Sequence, residues 1–112
     1  MVLIKVFEYV SFEKLSAMSL ESEYLMNLSL KPQMLQDKYG IEFSKLDALA
    51  EEYFAAIKAP DINLFFEFRA SRTNSVCVHA HGKNIDIREA YSVFSSLLKL
   101  HSSEIQWISD SV

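Results

Sequence analysis

Two neighbouring segments of the chain alternate apolar and polar side chains, one over Ile62–Ala70 and the other over Ser75–His81. A period of two is typical of strands with one buried face. The polar stretch between the segments predicts a hairpin, and side chains that face each other across it must share a sheet face. A three-residue loop at 72–74 meets this condition and predicts these pairs: Phe68 with Val78, Phe66 with Ala80, Glu67 with His79 and Arg69 with Cys77.

The remaining segments predict a mixture of helices and strands. Ser44 and Asp47 resemble a capping box before a helical apolar stripe that ends at Pro60, and Asp86 with Glu89 forms a second such box. A helical turn after Pro32 should end at Gly40. The other predicted elements are a strand at Val2–Val10, a helix at Ser11–Leu30 with a break near Ser19, and a last strand at Glu104–Asp110.

This order of elements is strand, helices, strand, strand, helix, strand. It predicts one α+β domain over residues 1–112, with an antiparallel four-stranded sheet and helices on one face. The order is that of the split βαβ, ferredoxin-like arrangement, with extra helices after the first strand. The first and third strands would then be central.

The net charge indicates which kind of partner the protein binds, and the cysteine content indicates the compartment in which we expect it. The 112 residues carry a net charge of −4, and all of it falls within residues 1–61. This acidity argues against general nucleic-acid binding and favours a basic protein partner. We expect that partner to be steered by acidic side chains on the predicted helices: Glu21, Glu23, Asp47, Glu51 and Glu52. The single cysteine, Cys77, and the lack of a membrane-spanning apolar run predict a cytoplasmic protein without a membrane partner.

The polar face of the predicted sheet is the second candidate surface. It should expose aromatic and charged side chains together, a composition typical of protein interfaces. The expected contact residues there are Phe7, Tyr9, Phe65, Glu67, Arg69 and His79. The sequence thus predicts a small acidic protein-binding module, such as an inhibitor or a toxin-neutralising immunity protein that occludes its partner. A homodimer that covers the same aromatic rings is the competing explanation.

Other chemistry is less well supported by the residues. Cys77, His79 and His81 share a strand face and are weak metal-ligand candidates, because neighbours on that face lie ~7 Å apart. An oligomeric metal- or small-molecule-binding module is therefore the main alternative. The chain has no nucleophile elbow or phosphate-binding glycine loop, so we expect neither an enzyme nor a cofactor. A nucleic-acid-binding regulator is a further alternative, which the acidic second helix of a potential helix-turn-helix over residues 33–54 disfavours.

Overall fold

The computed structural model describes residues 7–47, 52–70 and 75–101. In chain order, the helices and strands are β1 (Glu8–Tyr9), α1 (Phe12–Ala17), β2 (Glu21–Leu28), α2 (Pro32–Tyr39), β3 (Ser44–Asp47), β4 (Glu52–Lys58), β5 (Leu64–Ala70), β6 (Val76–Gly82) and α3 (Ile87–His101). Within the described residues, no helix is both long enough and apolar enough to cross a membrane.

The sheet has more strands than the sequence predicted. Five strands lie side by side in the order β1-β4-β5-β6-β2, and the short strand β3 also pairs with β4. Every strand pair in the described ranges is antiparallel. The α+β class is confirmed, whereas the four-stranded ferredoxin-like order is not. The predicted last strand, 104–110, and the beginning of the predicted first strand lie outside the described residues.

The central hairpin has the predicted register. Phe68 pairs with Val78, Phe66 with Ala80, Glu67 with His79 and Arg69 with Cys77. Phe66, Phe68, Val78 and Ala80 are fully buried, as the alternation requires. The register is determined by this alternation, because a shift of one residue would turn every apolar side chain of the strand to the other face.

The predicted helix at 44–58 is wrong, since this segment supplies strands β3 and β4. Ser44 caps no helix, and its hydroxyl donates a hydrogen bond to the carbonyl oxygen of Phe54 across the two strands. The four consecutive residues Phe54–Ile57 are all buried, because β4 has neighbours in the sheet and packing on both faces. A continuous apolar run of this kind fits a buried strand and a buried helix equally well.

The predicted helix at 11–30 is correct only in its first part. Helix α1 begins after Ser11, whose hydroxyl accepts a hydrogen bond from the Lys14 amide. The expected break occurs at Ser19, which has a φ of 54°. The chain then continues as β2 and pairs with β6 along its length. The pairing of β2 with β6, which are distant in the sequence, decides the conformation of this segment, and the local residue pattern carries no information about that pairing.

Two apolar clusters lie on opposite faces of the sheet. The larger one packs α2 and α3 against β5 and β6, with Phe94 of α3 touching the rings of Phe66 and Phe68. The smaller one packs Leu15 of α1 against a set from the opposite face: Val10, Phe54, Ala56 and Phe65. The prediction that all helices lie on one face is therefore wrong for α1.

The helix termini at Gly40 and Asp86 agree with the prediction. Gly40 ends α2 with a φ of 72°, a left-handed conformation that glycine adopts without a Cβ clash. Asp86 caps α3, and its Oδ1 accepts hydrogen bonds from the amides of Arg88 and Glu89. The buried stripe of α3 begins at Ala90, since Ile87 is 41% exposed.

Candidate binding surfaces

The predicted aromatic interface is divided between the two faces of the sheet. Tyr9 pairs with Ile57 and so lies on the α2–α3 side, where Phe7 joins the larger cluster. Phe65 lies on the α1 side and is buried in the smaller cluster. Phe7 and Phe65 are therefore structural residues, and their prediction as exposed partner-binding anchors is wrong. Of the rings that a homodimer was expected to cover, Tyr9 is exposed, and the homodimer itself stays a prediction.

Tyr9 has a structural contact at its hydroxyl. The oxygen accepts a hydrogen bond from the Glu42 amide at 2.9 Å, and the hydroxyl donates to the carbonyl of Gly40 at 3.0 Å. Burial is the main cause that raises the pKa of this phenol above its usual value. The side chain thus fixes the segment that follows α2 against β1.

Glu67, Arg69 and His81 form a polar group on the α1 side, which we call the Glu67 cluster. Glu67 is 8% exposed. Its Oε1 accepts a hydrogen bond from His81 Nε2 at 2.6 Å, and its Oε2 lies 3.1 Å from Arg69 Nη2. The hydrogen bond from His81 is the largest cause that lowers the pKa of the carboxyl group, and burial acts in the opposite direction.

The expected Glu67–His79 side-chain pair is replaced by a diagonal one. The two residues are opposite each other in the register, but Glu67 accepts its hydrogen bond from His81. Diagonal neighbours in a sheet are within reach of long side chains. His79 instead contacts the Cys77 sulfur through Nδ1 at 3.6 Å and the ring of Tyr24 edge-on.

The candidate metal ligands do not come together as a group. Among the residues that the structure describes, no set of three His, Cys, Asp or Glu side chains has a geometry that could hold a metal ion. Cys77 and His79 are in contact, but His81 is engaged by Glu67. Burial, followed by the charge of Glu67, raises the pKa of the Cys77 thiol, which disfavours the thiolate that binds metals.

The acidic side chains predicted to steer a partner lie on strands, at opposite ends of the sheet. Glu21 begins β2 and pairs with Gly82, and Glu23 follows two residues later. Glu52 begins β4 at the other end and pairs with Asp47 of β3. Glu51 lies outside the described residues. The expected single acidic helical surface is therefore wrong: among the described residues the predicted acidic residues form two separate pairs, Glu21 with Glu23 on β2 and Asp47 with Glu52 across β3 and β4.

A groove that the sequence did not identify lies at the Glu21 end of the sheet, and we call it the end groove. It has a volume of about 520 Å³ and runs between the segment after α1 and the start of α3. Its floor is apolar and consists of Met18, Leu20, Ile62, Leu64, Phe65 and Ile85. Its rim is polar and consists of Asn63, Lys83, Asn84, Asp86 and Glu89.

Unusual backbone positions define the walls of the end groove. In the described ranges, the three non-glycine residues with positive φ are Ser19, Asp61 and Asn84, which belong to or directly adjoin the lining segments. Glu21 Oε1 accepts a hydrogen bond from the Asn84 amide and ties the rim to β2. A Cβ at Gly82 would lie 3.2 Å from the Asn63 carbonyl oxygen, so glycine permits the close approach of these segments.

The sequence contained partial signals for this groove. The Gly82-Lys83-Asn84 turn and the Asp86 cap are both visible as local motifs. Their proximity to Met18 and Leu20 depends on β2 pairing with β6, which the predicted helix at 11–30 excluded.

The chain matches no protein-family model, no curated protein and no solved structure.

Proposed function

We propose that this protein binds a basic segment of another protein in the end groove. The observation that carries the proposal is an apolar floor beside a polar rim that holds two carboxylates, Asp86 and Glu89, and one lysine. Asp86 and Glu89 line the groove, and Glu21 adjoins it through its hydrogen bond to Asn84. These three exposed carboxylates outnumber the single lysine of the lining, Lys83.

An arginine or lysine side chain suits both parts of this surface. Its aliphatic stem can cover apolar floor residues such as Leu20 and Ile62, while its charged end stays at the wet rim. The carboxylates of Glu21 and Glu89 carry opposite charge to that end and favour its approach. The net charge of −4 adds long-range attraction for a basic partner.

The form of binding that we propose is inhibition by occlusion, as in an immunity protein that neutralises a basic toxin. The support is of a general kind: small size, acidity, and a binding surface built on rigid strands and a helix terminus.

Fluorescence anisotropy with a labelled peptide tests the proposal. We expect a short peptide of alternating Arg and Leu to bind at low salt, and its counterpart with Glu in place of Arg to bind more weakly. Glu21→Lys and Glu89→Lys should each lower the affinity for the basic peptide by about tenfold, because each reverses a charge at the rim. Higher salt should reduce the difference.

Glu52→Lys is the matched control, since it makes the same change in net charge at the opposite end of the sheet. We expect its effect to be at most about twofold, through long-range electrostatics alone. Equal weakening by Glu52→Lys and Glu89→Lys would contradict a site at the end groove, as would equal affinity for the basic and acidic peptides.

A further inference from the structure

A second cavity lies between α1 and the sheet, beside the Glu67 cluster, and shares one lining residue, Leu20, with the end groove. Its volume is about 190 Å³, below the range of ~300–1,000 Å³ typical of drug-sized ligands. The residues that matter for its chemistry are three apolar ones, Phe12, Leu15 and Leu20, and the three members of the Glu67 cluster. A ligand of this cleft must therefore be small and partly apolar.

The carboxylate that lines the cleft already has its partners. Each oxygen of Glu67 contacts one donor, His81 at Oε1 and Arg69 at Oε2. Since the guanidinium is always charged, it balances the Glu67 carboxylate. The Glu67 carboxylate repels an anion in proportion to that anion's charge, so the cleft favours a singly charged ligand over a doubly charged one.

Arg69 has a donor that the described part of the chain leaves unused. Its Nε is buried and has no hydrogen-bond partner among the described residues. The guanidinium lies over the ring of Phe12, with Cζ 5.5 Å from the ring centroid, while the side chain as a whole is 38% exposed. A buried donor without an acceptor is costly, and such groups commonly indicate a bound water or ligand.

We propose that this cleft binds a small monocarboxylate with a short apolar tail. The ligand carboxylate accepts a charge-assisted hydrogen bond from Nε of Arg69, the donor without a partner among the described residues, while Nη2 stays paired with Glu67. The tail packs on Leu15 and Leu20 beneath α1. Glu67 acts as a positioning residue, because its Oε2 holds Nη2 of the guanidinium. His81 acts through Glu67, since it donates a hydrogen bond to Oε1 of that carboxylate.

Butyrate is the probe for the test, and the Nε–Hε resonance of Arg69 in a ¹H–¹⁵N spectrum is the readout. We expect a saturable shift with a Kd on the order of 1–10 mM, the affinity range of such small ligands. Butyramide, which has the same shape without the charge, should give no saturable shift. The basic peptide used for the end groove should leave this resonance in place, which separates the two proposals.

Three variants complete the experiment. Arg69→Gln should abolish butyrate binding. In this variant binding is monitored through the backbone amide shifts of Phe12 and Leu15. Arg69→Lys keeps the charge opposite Glu67 but has no Nε donor fork, so binding should fall about tenfold even if Arg69→Gln does not fold. Arg88→Gln, an exposed site on α3, should bind butyrate as the wild type does. An unmoved Arg69 resonance at about 50 mM butyrate, or wild-type affinity in Arg69→Lys, would overturn the proposal.

Discussion

The two faces of the sheet differ in how completely helices cover them. On one face, α2 and α3 pack against fully buried aromatic residues such as Phe66, Phe68 and Phe94. On the other, the six-residue helix α1 packs on a small cluster and leaves the Glu67 cluster, Cys77 and His79 beside it. Burial of apolar area is the main source of stability, so we expect the first face to contribute more to the stability of the fold than the second.

Adjacent residues on the two faces provide the largest expected contrast. Phe66 is 0% exposed and packs against Phe94, whereas Phe65 is 8% exposed in the smaller cluster. We expect Phe66→Ala to lower the free energy of unfolding by about 4–5 kcal/mol and Phe65→Ala by about 3 kcal/mol. Urea denaturation of both variants measures the difference. Equal losses would show that the two faces contribute alike.

Glu67→Gln should have the next largest effect. At pH 7, we expect a loss of about 1–3 kcal/mol, because the charged hydrogen bond with His81 is weakened in a buried place. The pKa of Glu67 is lowered in the folded protein, so this stabilisation is present above its unfolded value, near 4.5, and is lost as the pH falls through the folded pKa. Thermal unfolding of both proteins from pH 7 to pH 3 measures it.

The difference in melting temperature between wild type and Glu67→Gln should accordingly shrink below about pH 4.5. Glu13→Gln is a suitable control, because Glu13 is an exposed residue on α1. A constant difference across this pH range would contradict an ionised Glu67 as the source of the stabilisation.

Ser11→Ala tests how firmly α1 is attached. The Ser11 hydroxyl accepts a hydrogen bond from the Lys14 amide. We expect the loss of this hydroxyl to lower the free energy of unfolding by about 1 kcal/mol. Hydrogen exchange should then accelerate at the amides of α1 while those of α3 stay as protected as before. Equal acceleration in both helices would indicate that the two faces open together.

Tyr24→Ser should have the smallest effect on stability. Tyr24 is 53% exposed and contacts His79 edge-on, so the loss should be about 0.5 kcal/mol or less. A thermal melt measures this loss, and a clearly larger one would mean that the open part of the face also maintains the fold.

The sequence predicted the elements whose local patterns are unambiguous. The β5–β6 register follows from two-residue alternation, and the ends of α2 and α3 follow from Gly40 and Asp86. It failed for β2 and β4, because their conformation depends on neighbours that are distant in the chain. The apolar run Phe54–Ile57 is compatible with a helix when it is considered alone. It forms a strand because β1, β3 and β5 pair with the two edges of β4.

The same dependence explains why the candidate sites were only partly visible. Glu67 and Arg69 were identified because they share a face of the predicted hairpin. The end groove was not identified, because its walls come from segments separated by more than 40 residues, such as Leu20 and Asn63. Tyr9 was assigned to the wrong face because its pairing with Ile57 requires β4 to be a strand.

Chemical-shift mapping with the Arg/Leu peptide tests the central claim most directly, since it locates the contact on the protein. We expect the perturbed amides to concentrate at residues 18–20, 62–65 and 83–89, around the end groove. Perturbations concentrated at the opposite end of the sheet, around Ser44 and Glu52–Phe54, would contradict the account.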